Sequence, residues 1–572
     1  MKKITKLFFI AVMSFIATTV SAQSFEFQWA KLISGPGTDQ GFGITTDATG
    51  NVYHCGFFTG TTDFDPGSGT FSLTSIAAGG GYVSKLDASG NFVWAAAMPG
   101  IAYKVAVDAT GNVFVTGTFN GTEDFDPGSG TMNMTATSTN NTDQYICKFD
   151  NAGNFVWAGQ LGGIDSEAPA SISTDASGNV IIAGSFRNTV DFDPGAGTYT
   201  ISSSGNVDGY VLKLTNSGGF LWAAKFGSSA SYEGTCGAVA DAAGNIYVTG
   251  TAVGTTDFDP SPTSVVTVTA STSSSDIYLL KLDASGNFGW VKLFGSTFAN
   301  DESRAIALDA TGNIYIAGNF ADGADFDPSP TSTTTLTVVG GLDCFVAKYD
   351  NTGNLIFAKG FGSAAYDCCK DIKVSASGNI CYTGVFFQNA DFDPSAAGTY
   401  TVACAGPNDA FIGAMDNGGN FLWAGALAPW SYDNIDQVAL NATGDIYVNG
   451  SFMFNTDFDP GAGVFNLSST ATDAFILKLS NGAVGVKETT LTKSDISVYP
   501  NPFTNFITIK TENTGSLKNL RLSIFDITGR ELKNQEVTGS AMIDMSNFKT
   551  GLYFYKITQD SKTVTSGKLI AE

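Results

Sequence analysis

Histidine is all but missing: His54 is the single one in 572 residues, and it sits in an alternating apolar run that reads as a strand. One histidine excludes a Ser-His-Asp triad and any multi-histidine metal centre, and its strand setting predicts a structural role. Charge is scarce as well, at 14% of residues, and unbalanced, with 29 Lys and Arg against 53 Asp and Glu. Residues 23–486 hold 15 basic and 44 acidic side chains, a net of −29. So acidic a body argues against nucleic acid and anionic membrane surfaces as partners, and favours cations or neutral ligands. The eight cysteines (Cys55, Cys147, Cys236, Cys344, Cys368, Cys369, Cys381 and Cys404) share no common spacing, which excludes a disulfide framework and CxxC metal sites while leaving one or two bridges open. Beyond the first residues no apolar run is long enough to span a bilayer, so no transmembrane segment is expected.

What is present begins with export. Residues 1–22 have a basic start (Lys2, Lys3, Lys6), a short apolar run and a small-residue end at Val20-Ser21-Ala22. That is the pattern of a secretory signal peptide cut after Ala22, and the mature chain is expected to be secreted and soluble.

The next feature is repetition. Asp-Phe-Asp-Pro starts at Asp63, Asp124, Asp191, Asp257, Asp325, Asp391 and Asp457, at intervals of 61, 67, 66, 68, 66 and 66 residues. Ahead of each copy stands a hairpin signal such as "DATGN" between alternating apolar residues, and behind the first six stands a second, such as "DNTGN". The seventh copy lacks the aromatic strand that should follow "AFILKLSNG" (Ala474–Gly482). An equivalent strand, "FEFQWAKLIS", opens the mature chain instead, with Trp29 matching Trp94, Trp157, Trp222, Trp290, Phe357 and Trp423. Four strands per unit, seven units and a split last unit predict an all-β fold. It is a seven-bladed β-propeller over residues 23–482, its last blade closed by the N-terminal strand.

In the pattern "DxxGNxYxxG … KLDxxGNxxWA" these repeats resemble the SBBP-type β-propeller repeats of exported bacterial proteins. The departure is the Asp-Phe-Asp-Pro segment, which enlarges each unit beyond the about 40–50 residues of common blades. After a linker at 483–494, residues 495–572 alternate as a small β-sandwich. This segment resembles the type A C-terminal sorting domain of the type IX secretion system, on Pro500, Asn501, Pro502, Gly529, Gly551, Leu552, Tyr553, Lys568 and Leu569. The resemblance implies the type IX machinery as partner, passage through the periplasm and outer membrane, and attachment to surface lipopolysaccharide once the tail is removed.

Two sets of acids are candidates for chemistry. Eight residues before the first hairpin of six repeats stands an acid: Asp39, Glu167, Glu233, Asp301, Asp367 or Asp433. Tyr232, Tyr366 and Tyr432 precede three of them, with Trp430 nearby. They read either as a carboxylate ring with aromatic platforms at the channel mouth, suited to cations or sugars, or as caps of their own loops. The Asp-Phe-Asp-Pro segments read as a Phe plug with a turn. The pairs Asp63/Asp65, Asp124/Asp126, Asp191/Asp193, Asp257/Asp259, Asp325/Asp327, Asp391/Asp393 and Asp457/Asp459 would then face solvent on one side. Calcium is the alternative there, since two carboxylates beside turn carbonyls begin the six to eight oxygens that ion takes. No other cofactor is expected. The functional expectation is a non-enzymatic surface scaffold for binding or adhesion to an unidentified glycan or protein ligand. A polysaccharide-active glycosidase or lyase is the alternative.

Overall fold

The computed structural model describes residues 24–572 apart from 77–78, 230–232, 271–273, 298–299, 396–397, 428–433, 462, 483–495, 512–519, 527–529, 538–539 and 560–561. The expected signal peptide and linker therefore lie outside the described residues. The chain divides into two compact units at residues 483 and 484. Among the described residues there is no helix, hence none long and apolar enough to cross a membrane.

The repeat builds a sheet from local chemistry. In the fifth copy, Glu302–Leu308, Ile314–Phe320, Asp343–Tyr349 and Leu355–Phe361 pair antiparallel in that order. The hairpin joining the first two is set by Asp309. Its Oδ1 accepts the N–H groups of Thr311 (2.9 Å) and Asn313 (3.0 Å), and its Oδ2 accepts the Asn313 side-chain amide at 2.8 Å. Gly312 sits at φ +83, where a side chain would be strained. The two middle strands are buried along their whole length, including the polar Asn319, Asp343 and Lys348.

Among the described residues, seven such four-strand units follow one another, six as separate sheets and the second extended to six strands by the outer hairpin of the third (Thr189–Asp191 and Thr200–Ser202). Each inner strand packs beside the next, from Asp39–Thr46 to Asn434–Leu440, and the last packs back against the first. In the seventh sheet the outer strand is Ser24–Ile33, paired with Asn466–Gly482. Trp29 stands opposite Lys478 in the same register as Trp94 opposite Lys85 and Trp157 opposite Lys148. The ring is closed by its own N-terminal strand. All eight cysteines are free thiols, so closure depends on strand pairing and packing alone.

In the second unit, Ile496–Tyr499, Phe506–Thr511 and Ala541–Asp544 form one sheet. Glu531–Val537, Leu520–Phe525, Gly551–Gln559 and Lys562–Ala571 form the other. Ile507, Ile509, Leu522, Ile524, Ile557 and Leu569 pack between them in one core.

Candidate functional site

The Asp-Phe-Asp-Pro segments form short outer hairpins between the second and third strands. Each phenylalanine is a plug: Phe64, Phe125, Phe192, Phe258, Phe326, Phe392 and Phe458 are all at most 1% exposed. Phe64 meets Phe58 edge-on at 5.3 Å and Tyr82 at 4.9 Å. The aspartates do not stand side by side toward solvent, as expected from simple alternation. Asp63 turns back into its loop, where Oδ1 accepts the N–H groups of Asp65 (3.0 Å) and Phe71 (2.8 Å). Asp124, Asp191, Asp257, Asp325, Asp391 and Asp457 do the same. The second aspartates, Asp65, Asp126, Asp193, Asp259, Asp327, Asp393 and Asp459, each accept the N–H two residues on. The physical reason is that eight to nine residues of loop backbone need acceptors, and carboxylates supply them.

The second acidic set also lies elsewhere than at a channel mouth. Asp39, Glu167, Glu233, Asp301 and Asp367 are at most 3% exposed and sit inside the junctions between blades. Glu233 accepts the Ser228 hydroxyl at 2.7 Å and its N–H at 3.2 Å. Asp301 accepts the N–H of Ala321 at 2.8 Å, and Asp367 the Ser363 hydroxyl at 3.0 Å. Burial raises all five carboxyls above their usual range, Asp39 to about 7 and Glu167 to about 9. Tyr366 is 64% exposed and does not form a platform with its buried neighbour. Tyr232, Trp430, Tyr432 and Asp433 lie outside the described residues.

The channel wall carries a different set of residues. Every inner strand has a β-bulge at the same place, and the extra residues are Phe42, Tyr103, Ala170, Cys236, Arg304, Lys370 and Asp436. A bulge re-aims one side chain out of the ladder. All seven residues are at least partly exposed, whereas most of their immediate neighbours are buried. Phe42 and Tyr103 lie 5.6 Å apart, forming an aromatic sector. Lys104, Ala170, Cys236, Arg304, Lys370 and Asp436 line a cavity of about 550 Å³. A second cavity of about 400 Å³ runs on between the inner strands past Ser171, Asp371, Lys373 and Gln437. Across the two cavities, Arg304 pairs with Glu302, Lys370 with Asp436 at 3.7 Å, and Lys373 with Asp371 at 2.8 Å. Burial pushes the Lys104 ammonium below the ordinary lysine range, and Asp371 and Asp436 oppose that shift.

The sequence held a sign of this ring that alternation does not show. The last glycine of "GNxYxxG" recurs as Gly56, Gly117, Gly184, Gly250, Gly318, Gly384 and Gly450. A Cβ on Gly56 would stand 1.8 Å from the Gln40 carbonyl oxygen, and one on Gly384 2.0 Å from that of Cys368. The bulged inner strand presses its backbone onto this position, and only glycine admits it.

In the tail, Asn501 clamps the final strand. Its side-chain amide donates to the Lys568 carbonyl at 2.8 Å, and its Oδ1 accepts the Ile570 N–H at 2.8 Å. The Phe503 N–H donates to the Ile570 carbonyl at 2.8 Å, continuing the join. Pro500 and Pro502 flank this clamp, Leu569 is buried beneath it, and the Tyr553 hydroxyl donates to the Lys549 carbonyl at 2.8 Å. Gly551 and Leu552 are exposed at the start of their strand, and Gly529 lies outside the described residues.

Residues 497–572 match the secretion system C-terminal sorting domain family. Residues 28–56 and 289–326 match the Beta-propeller repeat family, SBBP. The chain is 23% identical over 497 residues to an uncharacterized WD repeat-containing protein of Acanthamoeba polyphaga mimivirus, covering 74% of this chain and 36% of that protein. It is 26% identical over 289 residues to the regulatory protein FlaEY of Caulobacter vibrioides, covering 48% of this chain and 28% of that protein. The chain thus spans about a third of the length of these curated relatives. Among solved structures, BamB from Moraxella catarrhalis aligns at 11% identity and a TM-score of 0.33, over 79% of this chain and 100% of that one. A sorting tail joined to propeller repeats marks a β-propeller protein secreted to the cell surface or beyond, and implies handling by the type IX secretion system.

Proposed function

We propose that this propeller is a binding scaffold of the cell surface, anchored through lipopolysaccharide after loss of its tail, and that its ligand is read at the bulge ring. The observation that carries this reading is the contrast within the repeat. Scaffold positions recur from blade to blade, while the seven bulge positions hold seven different residues. Varied side chains on an invariant frame are the arrangement of a recognition surface. The ligand class is a saccharide bearing a carboxylate or sulfate. Its sugar face stacks on the Phe42–Tyr103 sector, and its anionic group meets the local basic cluster of Arg304 and Lys370 across the ring, displacing Glu302 and Asp436 from them within a body that is acidic as a whole. A binder is favoured over a polysaccharide-cleaving enzyme because the channel carboxylates Glu302, Asp371 and Asp436 are engaged in ion pairs rather than set as a free acid and base.

The test is an array of neutral and acidic glycans probed with the mature protein and with an Arg304→Ala/Lys370→Ala variant. Retention of acidic glycans by the wild type, weakened at least about tenfold in the variant, supports the reading; a bidentate charged contact is of that order. Binding that is equal in both proteins, or confined to neutral glycans, overturns it.

A further inference from the structure

The buried acids of the blade junctions come in pairs. Each carboxyl ahead of an inner strand lies against a second one, at the head of the preceding blade's third strand. The pairs are Asp39 with Asp473, Glu167 with Asp143, Glu233 with Asp208, Asp301 with Asp276, and Asp367 with Asp343. A Cβ on Gly362 would lie 2.7 Å from an Asp367 oxygen and 2.8 Å from the Asp343 carboxyl carbon, so the two groups straddle one glycine. At the junction of the first and second blades the leading loop is shortened and has no acid, and the third-strand position is Gly80. Both partners are absent together. The two acids of a junction therefore occur together or not at all.

The pairs fall into two groups. In three of them the loop acid is held by backbone N–H groups or a serine hydroxyl, as described for Glu233, Asp301 and Asp367, and Asp208 also has Lys225 at 3.7 Å. The other two lack that supply. Glu167 follows Gly162-Gly163 where those three junctions carry Gly-Ser, and neither of its oxygens accepts a well-formed hydrogen bond, although the N–H groups of Gly163 and of Glu167 itself lie near enough to lower its carboxyl. Facing it, Asp143 uses Oδ2 to accept the Thr137 N–H (2.9 Å), the Thr137 hydroxyl (2.8 Å) and the Gln160 amide (2.7 Å), but Oδ1 has no partner. Asp39 accepts the Thr62 hydroxyl at 2.8 Å through Oδ1 and lies against the Asp473 carboxyl with the Gly35 N–H near both, while its Oδ2 and Asp473 Oδ1 accept no well-formed hydrogen bond. These four residues are at most 4% exposed, and among the described residues no Lys or Arg forms an ion pair with any of them. Two buried carboxyls with open lone pairs and no counter-charge are costly unless something neutralises them.

We propose that a divalent cation of the calcium class binds between Glu167 and Asp143 and between Asp39 and Asp473. A hard cation answers both deficits, since it cancels the paired charge and takes oxygen ligands of irregular arrangement, which calcium accepts and magnesium does not. The second site lies on the seam between the seventh blade and the first, where the ring closes. It would rivet a seam that packing and hydrogen bonds such as Asn449 to the Gly43 carbonyl (3.0 Å) otherwise hold. An acidic body of net −29 favours capture of such an ion.

The experiment is calcium titration calorimetry on the stripped mature protein at neutral pH, paired with thermal melts in calcium and in chelator. The expected result is two ions per chain and a melting temperature higher by several degrees in calcium. Glu167→Gln and Asp39→Asn should each lose one ion, whereas Glu233→Gln keeps both. Asp143→Asn and Asp473→Asn probe the same two sites should either first variant fail to fold. Three results overturn the proposal. One is no uptake at millimolar calcium. Another is unchanged stoichiometry in the Glu167 and Asp39 variants, which would place the ions in the outer hairpins instead. The third is a melting temperature insensitive to calcium that falls as pH rises, which would make a shared proton the occupant.

Discussion

On the hairpin face, six blades solve one problem with one set of residues. Lys85 donates to the Asn151 carbonyl of the next blade at 3.3 Å, and Trp94 donates to the same oxygen at 3.2 Å. Lys148 and Trp157 treat Asn216 alike, and Lys213 and Trp222 treat Ala284 alike. The ammonium groups of Lys85, Lys148, Lys281, Lys348 and Lys478 also sit 4.9–5.3 Å from an aromatic ring centroid. On the channel wall, four further cations (Lys104, Arg304, Lys370 and Lys373) belong to three blades, and their counterparts elsewhere are unlike them. Ten of the 15 basic residues of this acidic body thus divide between a repeated task and a unique one. Repetition marks what every blade needs to stack, and departure from it marks what the assembled ring presents.

The comparison breaks most visibly where the ring itself opens. Deleting Ser24–Ser34 removes the buried Ile33 and Ala30 and exposes the edge of Asn466–Gly482. Loss of the monomer to aggregates on gel filtration is the expected outcome. A monomeric truncation with an unchanged melting temperature would show that closure is dispensable.

Next in size is a recurring plug. Phe192→Ala removes a fully buried ring packed 5.2 Å from Phe186 and 5.0 Å from Tyr210, and should cost ~3–5 kcal/mol in denaturant unfolding. Asp191→Asn retains the Oδ1 that accepts the Asp193 and Tyr199 N–H groups, and should cost little. A larger loss for the asparagine than for the alanine would assign the segment a charge-dependent role.

Intermediate in size is a pH effect at a junction. Burial, opposed by the Val339 N–H and reinforced by Asp367, raises Asp343 from 3.8 to about 6. The folded state thus binds this proton more tightly than the unfolded chain. Its stabilisation is complete below pH 3.8 and is lost as pH rises to about 6. The loss is on the order of 1–3 kcal/mol. Asp343→Asn, a permanently neutral group, should flatten stability over that window, and an unaltered slope would place the titration elsewhere.

Much of this architecture was legible in the chain because it is periodic. The spacing of Asp-Phe-Asp-Pro, the hairpin aspartates and the displaced Trp29 strand led to the ring and its closure. The positions of carboxylates were less legible, because alternation states which side a residue takes but not what backbone lies beside it. Asp63 turns inward since the loop around it has N–H groups to satisfy, and Glu167 is buried since a second blade covers it. The bulge ring was hidden for a related reason: its seven residues share no chemistry, and only the glycine opposite them repeats.

The smallest expected effect is the one that separates the two regions most sharply. Arg304 lies on the channel wall, its side chain 46% exposed and paired with a Glu302 side chain that is itself 37% exposed. An ion pair so open to solvent contributes little to folding. Arg304→Ala should therefore shift stability by no more than about 0.5 kcal/mol, the range of surface substitutions. Phe42→Ala, on the same ring but partly buried, is expected to lie somewhat above that and well below the Phe192 variant. Chemical unfolding of the three proteins side by side checks the order. If Arg304→Ala destabilises as much as Phe192→Ala, the channel wall is part of the frame rather than a surface carried by it. If it unfolds like the wild type while acidic-glycan binding falls, the departure from the repeat belongs to recognition.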